Sequence, residues 1–355
     1  MKAWPWVALA ATFGCTSPAT EVPRPGPQRW DFPMSIRTLD VRSEQHVRFA
    51  GSDGWVGMTA DVGLTWDTTQ WVSPTGEMAS FRASGFAGTG WHAATIAGPG
   101  MVARSQRDSL HPTWQTLQDH DSAFFDAMHW LDDTTGIIFG DAVGDCLTMF
   151  RTTNAGQSWS RLPCDAIPKK VPGEAAFAAS NGNIASSGDT VWVVTGGEVS
   201  RVLRSLDAGQ TWKATTLPVV QGGSMTGAFA ISFADASTGL AIGGNWEDPE
   251  NNQGNLCMTQ DGGDTWALVS EGLGPGYRSC VMHHPVDKDQ VVAAGFLGMD
   301  VSFDGGKNWT HVSDSAHFVA RFAPSGRTLW LAGKGHVECQ PWPPIVNPHE
   351  RQRTH

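Results

Sequence analysis

The sequence predicts an all-β chain wound as a seven-bladed β-propeller of four-stranded blades, and three observations carry that expectation. One eight-residue pattern recurs at near-constant spacing. Short alternating apolar strands stand ahead of its copies. Glycine and tryptophan are abundant, with 41 and 17 copies among 355 residues against a single tyrosine, a balance that suits many tight turns closed by large rings.

Taken in chain order, the first 34 residues precede the repeat. Met1 to Phe13 carries one charge, Lys2, and an apolar stretch too short to cross a bilayer, so residues 1–14 read as an export signal. Gly14-Cys15 followed by Thr16-Ser17-Pro18 resembles the cleavage site of a bacterial lipoprotein, with Cys15 as the lipidated residue. Pro18, Pro23, Pro25, Pro27 and Pro33 make 15–34 an extended tether. The propeller is expected over 35–345, and a polar tail over 346–355.

The repeat is clearest in Thr59-Ala-Asp-Val-Gly-Leu-Thr-Trp66, Thr152-Thr-Asn-Ala-Gly-Gln-Ser-Trp159, Ser205-Leu-Asp-Ala-Gly-Gln-Thr-Trp212, Thr259-Gln-Asp-Gly-Gly-Asp-Thr-Trp266 and Ser302-Phe-Asp-Gly-Gly-Lys-Asn-Trp309. A sixth, worn copy ends at Trp114. The closing tryptophans are 43 to 54 residues apart, near the period of a four-stranded blade. Apolar strands such as Gly136-Ile-Ile-Phe-Gly140 and Gly239-Leu-Ala-Ile-Gly243 precede them, and Thr328-Leu-Trp-Leu-Ala-Gly333 supplies a seventh strand with no turn motif after it. An N-terminal strand around Ser35 to Val41 is expected to close the ring against this last unit.

The motif's chemistry is that of a self-satisfied turn. Asp61, Asn154, Asp207, Asp261 and Asp304 can accept from the turn's own amides, the Ser or Thr two residues earlier can assist, and glycine two residues later supplies positive φ. Trp66, Trp159, Trp212, Trp266 and Trp309 then start the returning strand and bury a ring. These residues resemble Asp-box (BNR) repeats, as in sialidases and in the family of proteins similar to photosystem II stability/assembly factors. The resemblance implies the propeller with Asp-box hairpins; it says little about activity, because unrelated enzymes and binding modules share the box. Cys146 and Cys164 flank one such hairpin almost symmetrically and form a candidate disulfide, with two unpaired thiols as the plainer reading.

Charged residues set among small apolar ones are the candidates for a site: Asp126, Asp141, Glu174, Arg201, Tyr277 and Arg278. Their segments also resemble those of a bacterial exported subgroup of the assembly-factor-like family, often labelled oxidoreductase or glycosyl hydrolase. Gathered at one channel mouth they would make a non-catalytic ligand pocket. A sialidase-like alternative makes Tyr277 the nucleophile and Glu174 its activator, with Arg201 and Arg278 holding a substrate carboxylate and Asp126 or Asp141 as the acid. The plainer reading pairs these charges to tie the blades together.

Other chemistries find less support. Gly88-Thr-Gly90-Trp-His-Ala93 matches a dinucleotide fingerprint only in letters, lacking a βαβ context, and reads as a turn between strands. No histidine group shows metal-ligand spacing, so neither metal nor cofactor is expected. A net charge of −11 excludes a nucleic-acid surface and leaves the lipid anchor as the sole membrane contact. The expected function is an exported, periplasmic or outer-surface, lipid-anchored and non-catalytic module that binds an envelope protein or a small ligand at its channel mouth.

Overall fold

The computed structural model describes residues 27–343. The signal segment 1–14, Cys15, the tether as far as residue 26 and the tail 346–355 lie outside the described residues. Within them, all regular structure is β-strand apart from the short helical turn Cys164–Ala166. Inner and middle strands are largely buried because sheets stack face to face around a centre, so both faces are covered: Gly136–Gly140 is buried at every position. Outer strands such as Ser160–Arg161 and Ala267–Leu268 are short and exposed, which blunts the rim against edge-to-edge pairing.

The expected count of seven blades is corrected to six. The strands form six antiparallel sheets, four of them four-stranded and two six-stranded. The last repeat has no sheet of its own, because Thr328–Pro341 and Gln28–Val41 are each 14 residues long and pair with each other and with further partners. Gln28 to Ser35 runs against Cys339 to Lys334, after which the register shifts and Ile36 to Val41 runs against Gly51 to Val47. Val319–Phe322, Thr328–Pro341, Gln28–Val41, Val47–Gly51, Trp55–Thr59 and Asp67–Gln70 are thereby joined in one sheet. The N-terminal strand does meet the last unit, but through Gln28 to Ser35, residues read from sequence as mostly tether.

In each of the five clear turns the Ser or Thr hydroxyl and the Asp or Asn side chain bond the turn's own amides. In the first, Gly63 N donates to Thr59 Oγ1 at 2.9 Å, Thr59 Oγ1 and Thr65 N donate to Asp61 Oδ1 at 2.8 and 2.9 Å, and Thr65 Oγ1 donates to Asp61 Oδ2 at 2.6 Å. The set recurs around Asp207, Asp261 and Asp304, and with an amide in place of the carboxylate around Asn154. These bonds hold the Asp61 and Asp304 carboxyls below the usual range and those of Asp207 and Asp261 down at about 2. Positive φ is needed at two successive positions, not at the glycine alone: Val62, Ala155 and Ala208 precede Gly63, Gly156 and Gly209 with φ of 64°, 53° and 54°. Cys146 and Cys164 are joined as a disulfide with 5.7 Å between their Cα atoms, while Cys257, Cys280 and Cys339 are free buried thiols. Gly88 and Thr89 form the turn between Phe81–Ala87 and Gly90–Thr95.

Candidate functional site

Seven inner strands line a central channel, the large first sheet supplying two of them. Asp40, Ser84, His129, Ser186, Ser232, His283 and Arg321, one from each strand, border a cavity of about 430 Å³ at one end. His129 meets Ser186 Oγ at 2.8 Å and His283 meets Ser232 Oγ at 2.9 Å, and burial lowers both imidazoles to about 4.

A segment of chain crosses the channel and divides it. Ser180 Oγ donates to Ser279 O at 2.7 Å, Asn181 Nδ2 to Ser84 O at 2.8 Å, Met128 N to Asn181 Oδ1 at 2.8 Å and Ile231 N to Gly182 O at 2.8 Å. Arg321 Nη2 donates to the carbonyls of Ser180 and Asn181, and Arg82 Nη1 to that of Ala178 at 3.2 Å. The run Ala-Ala-Phe-Ala-Ala-Ser after Glu174 is therefore small for a reason. It is a plug whose backbone is satisfied by groups from several inner strands.

Beyond the plug, a second cavity of about 310 Å³ is lined by Arg37, Arg82, Phe124, Asp126, Asp141, Ala176, Phe177, Ala178, Ala179, Met225, Phe229, Trp246 and Tyr277. Its aromatic floor is continuous: Phe177 stacks on Phe229 at 4.0 Å, Phe229 meets the Tyr277 ring edge to face at 4.8 Å, Tyr277 leans on Phe296 at 5.2 Å, and Phe296 reaches Trp246 at 6.4 Å. Trp246 ends the row 48% exposed. The Arg37 guanidinium lies over the Phe318 ring at 3.9 Å, and burial followed by the neighbouring charge of Arg82 lowers it to about 10. Among the described residues neither Arg37 nor Arg82 forms an ion pair. Two half-buried cations thus face one cavity without a carboxylate bound to them.

Of the residues expected at the mouth, Asp126, Asp141 and Tyr277 line this cavity. Burial, reinforced by Asp141, raises the Asp126 carboxyl well above the ordinary range, and burial raises Asp141 too, although Ala176 N donates to it at 3.1 Å. Burial also raises the Tyr277 phenol. The loop Glu247 to Asn252 backs it, since Tyr277 N donates to Pro249 O at 2.8 Å and any Cβ on Gly276 would stand 2.3 Å from that oxygen.

The other three candidates are elsewhere. Glu174 is held by Arg201 Nε and Nη2 at 2.8 and 2.6 Å, by Thr195 Oγ1 at 2.7 Å and by Val171 N at 3.1 Å. Arg278 pairs with Asp300 at 2.6 Å and donates to Tyr277 O at 2.8 Å. Neither pair lines the cavity, so the proposed Tyr277–Glu174 couple and the Arg201–Arg278 clamp are corrected: desolvated charges are matched locally to each other. Burial opposes ionisation of the Tyr277 phenol, and Glu174, the base expected for it, is engaged by Arg201.

Arg37, Arg82, Phe229 and Trp246 carry no mark in the sequence reading. For Arg82 a signal is legible: Phe81-Arg82-Ala83 and Phe125-Asp126-Ala127 repeat one apolar–charged–small pattern on successive inner strands.

The raised Asp126 carboxyl has a testable consequence. The unfolded chain ionises this group near pH 4 while the folded one resists, so its stabilising contribution is full below that pH and is lost as pH rises toward the folded value. Asp126→Asn is expected to match the parent near pH 4 and to exceed it in denaturant midpoint increasingly toward pH 7. Parallel pH profiles for the two proteins would refute the assignment.

No protein-family model and no curated protein matches the chain. Solved structures do. A structure described as YCF48 bound to D1 peptide superposes with a TM-score of 0.63 at 15% identity, covering 90% of this chain and 98% of that one. YCF48 from Cyanidioschyzon merolae gives 0.64 at 17% identity, over 89% and 99%. The GH74 xyloglucanase from Xanthomonas campestris gives 0.62 at 14% identity, over 92% of this chain but 55% of that one. At these identities the likeness is one of fold, a propeller that serves both peptide binding and glycan hydrolysis in other proteins.

Proposed function

We propose that the protein is a non-catalytic binding propeller whose mouth receives a segment of another protein presenting an apolar side chain beside a carboxylate. The observation that carries this reading is the pairing of Arg37 and Arg82, half-buried and without carboxylate partners, with an aromatic row that ends at exposed Trp246. An anionic group would relieve the mutual repulsion of the two guanidiniums, and an apolar group would cover the ring row. That a similar propeller, YCF48, is described as bound to a peptide supports the same use of the fold.

The proposal extends to export and to anchoring through a lipid on Cys15. Its support is the apolar start of the sequence and the Cys146–Cys164 bridge, a bond suited to an oxidising compartment. It also includes the Asp-box assignment, supported by the hydrogen-bond set shared by five turns.

Selection of a displayed random-peptide library on the purified protein tests the mouth. Enriched peptides are expected to combine an aromatic or aliphatic residue with an acidic group. Trp246→Ala is expected to weaken them about thirtyfold, the scale of an interface hot spot, and Arg37→Gln at least about tenfold. Enrichment of no sequence, or binding undiminished in both variants, would overturn the reading.

A further inference from the structure

Where the two chain ends are zipped together, three potential metal ligands converge outside the channel. His317 lies just ahead of Val319–Phe322, its amide donating to Gly295 O at 3.0 Å, while His336 and Glu338 stand two apart on Thr328–Pro341 and so share one face of the strand. His336 Nε2 is 3.2 Å from His317 Nδ1, the Glu338 carboxylate oxygens are 3.8 Å from His317 Nε2 and from His336 Nε2, and one ligand atom from each residue falls within 4.8 Å of the others. The two histidines are buried.

Their surroundings favour a common ligand. The remaining ring nitrogen of His336, Nδ1, is 3.3 Å from Lys334 O. Donation there leaves Nε2 with its lone pair facing His317, the orientation that a backbone carbonyl imposes on a ligating histidine. Without an ion, a proton on His317 Nδ1 serves that contact but leaves the lone pair of His317 Nε2 toward the Glu338 carboxylate. Space for the cluster is provided by Gly333: a Cβ there would stand 2.8 Å from His336 Cε1 and from Ala316 O. Arg29 Nη1 donates to Glu338 Oε1 at 2.6 Å from the paired strand, and among the described residues it is the cation that competes for the site.

We propose that His317, His336 and Glu338 bind one divalent first-row transition ion, Zn²⁺ above the others, clamping the loop before the last inner strand to the strand that closes the ring. Two imidazoles and one carboxylate suit zinc in three-protein-ligand coordination, with water in the fourth place. The ligand residues lie on two separate elements, and for that reason no spacing in the sequence announces them.

Titration of the full chain with Co²⁺, followed by visible absorption and then by Zn²⁺ competition, tests this. One equivalent of Co²⁺ is expected to give the intense d–d bands of a low-coordinate ion, and one equivalent of Zn²⁺ to abolish them. His336→Gln and Glu338→Gln are each expected to weaken binding at least about tenfold. Arg29→Gln keeps every ligand and frees Glu338, so it should bind Zn²⁺ more tightly and serves should the ligand variants fail to fold. The absence of d–d bands at excess Co²⁺, bands undiminished in folded ligand variants, or weaker Zn²⁺ binding by Arg29→Gln would overturn the site.

Discussion

Replacing Arg201 with leucine is expected to cost about 3–5 kcal/mol of folding free energy, the penalty for stranding a buried carboxylate. The Glu174 side chain is wholly buried and that of Arg201 only 11% exposed, so little solvent is available to Glu174 once its partner is gone. Glu174–Ala175 pairs with Gly196–Gly197, which in turn joins the sheet of Thr226–Phe233. The ion pair therefore fixes the point from which the plug enters the channel. Urea denaturation at neutral pH should show the loss, and hydrogen exchange should rise across residues 171–183 before it rises elsewhere. The double variant Glu174→Gln with Arg201→Leu should recover most of the stability, because it removes both charges. A cost below about 1 kcal/mol for the single variant, the range of an exposed pair, would rule out the role given to Arg201.

Trp330→Ala is expected to cost a similar amount, about 3–5 kcal/mol, through lost burial and the cavity left behind. Trp330 is fully buried, stacked at 5.7 Å on Trp30 and edge-on at 6.2 Å to Trp66. Those three rings come from the last repeat, the N-terminal strand and the first turn motif, so the substitution strikes the closure of the ring. Trp330→Phe should cost far less: it keeps an aromatic ring and removes an indole N–H that has no hydrogen-bond partner. Equal costs for the two variants, read by chemical denaturation, would show that packing at this seam is not what closes the ring.

The two experiments probe the elements that shape the proposed binding mouth. The plug floors the cavity with Ala176 to Ala179, and closure of the ring brings Arg37 beside Arg82. Arg37 belongs to Gln28–Val41 and Arg82 to Phe81–Ala87, and Asp126 joins them from Phe125–Trp130. The charge of the mouth is thus set by neighbouring inner strands, each contributing one residue from the same register. Overall acidity, a net charge of −11, gives no hint of a local cationic pair.

Legibility in the sequence followed the range of the interactions. The turn around Asp207 could be read almost atom by atom, because every partner of its carboxylate lies within four residues. Even there the left-handed φ of Ala208 is not legible, since alanine carries no mark of that conformation. The charged residues among small apolar ones divide into two kinds. Asp126, Asp141 and Tyr277 face the cavity, whereas Glu174, Arg201 and Arg278 are consumed by local ion pairs. Residue type alone could not separate them, because a buried charge looks the same in sequence whether its partner is a ligand or another side chain.

By itself the sequence determined an all-β repeat, its turn chemistry and the strands between turns, all of which arise from contacts a few residues long. The tertiary structure decided the rest. Whether the last repeat forms a sheet of its own depends on pairings such as Arg29 with Glu338 and Trp30 with Val337, between residues at opposite ends of the chain. The plug, the cationic mouth and the His317, His336 and Glu338 cluster likewise exist only once distant strands are brought into register. Short-range hydrogen bonds leave a pattern in adjacent letters; long-range register leaves none until the ring has closed.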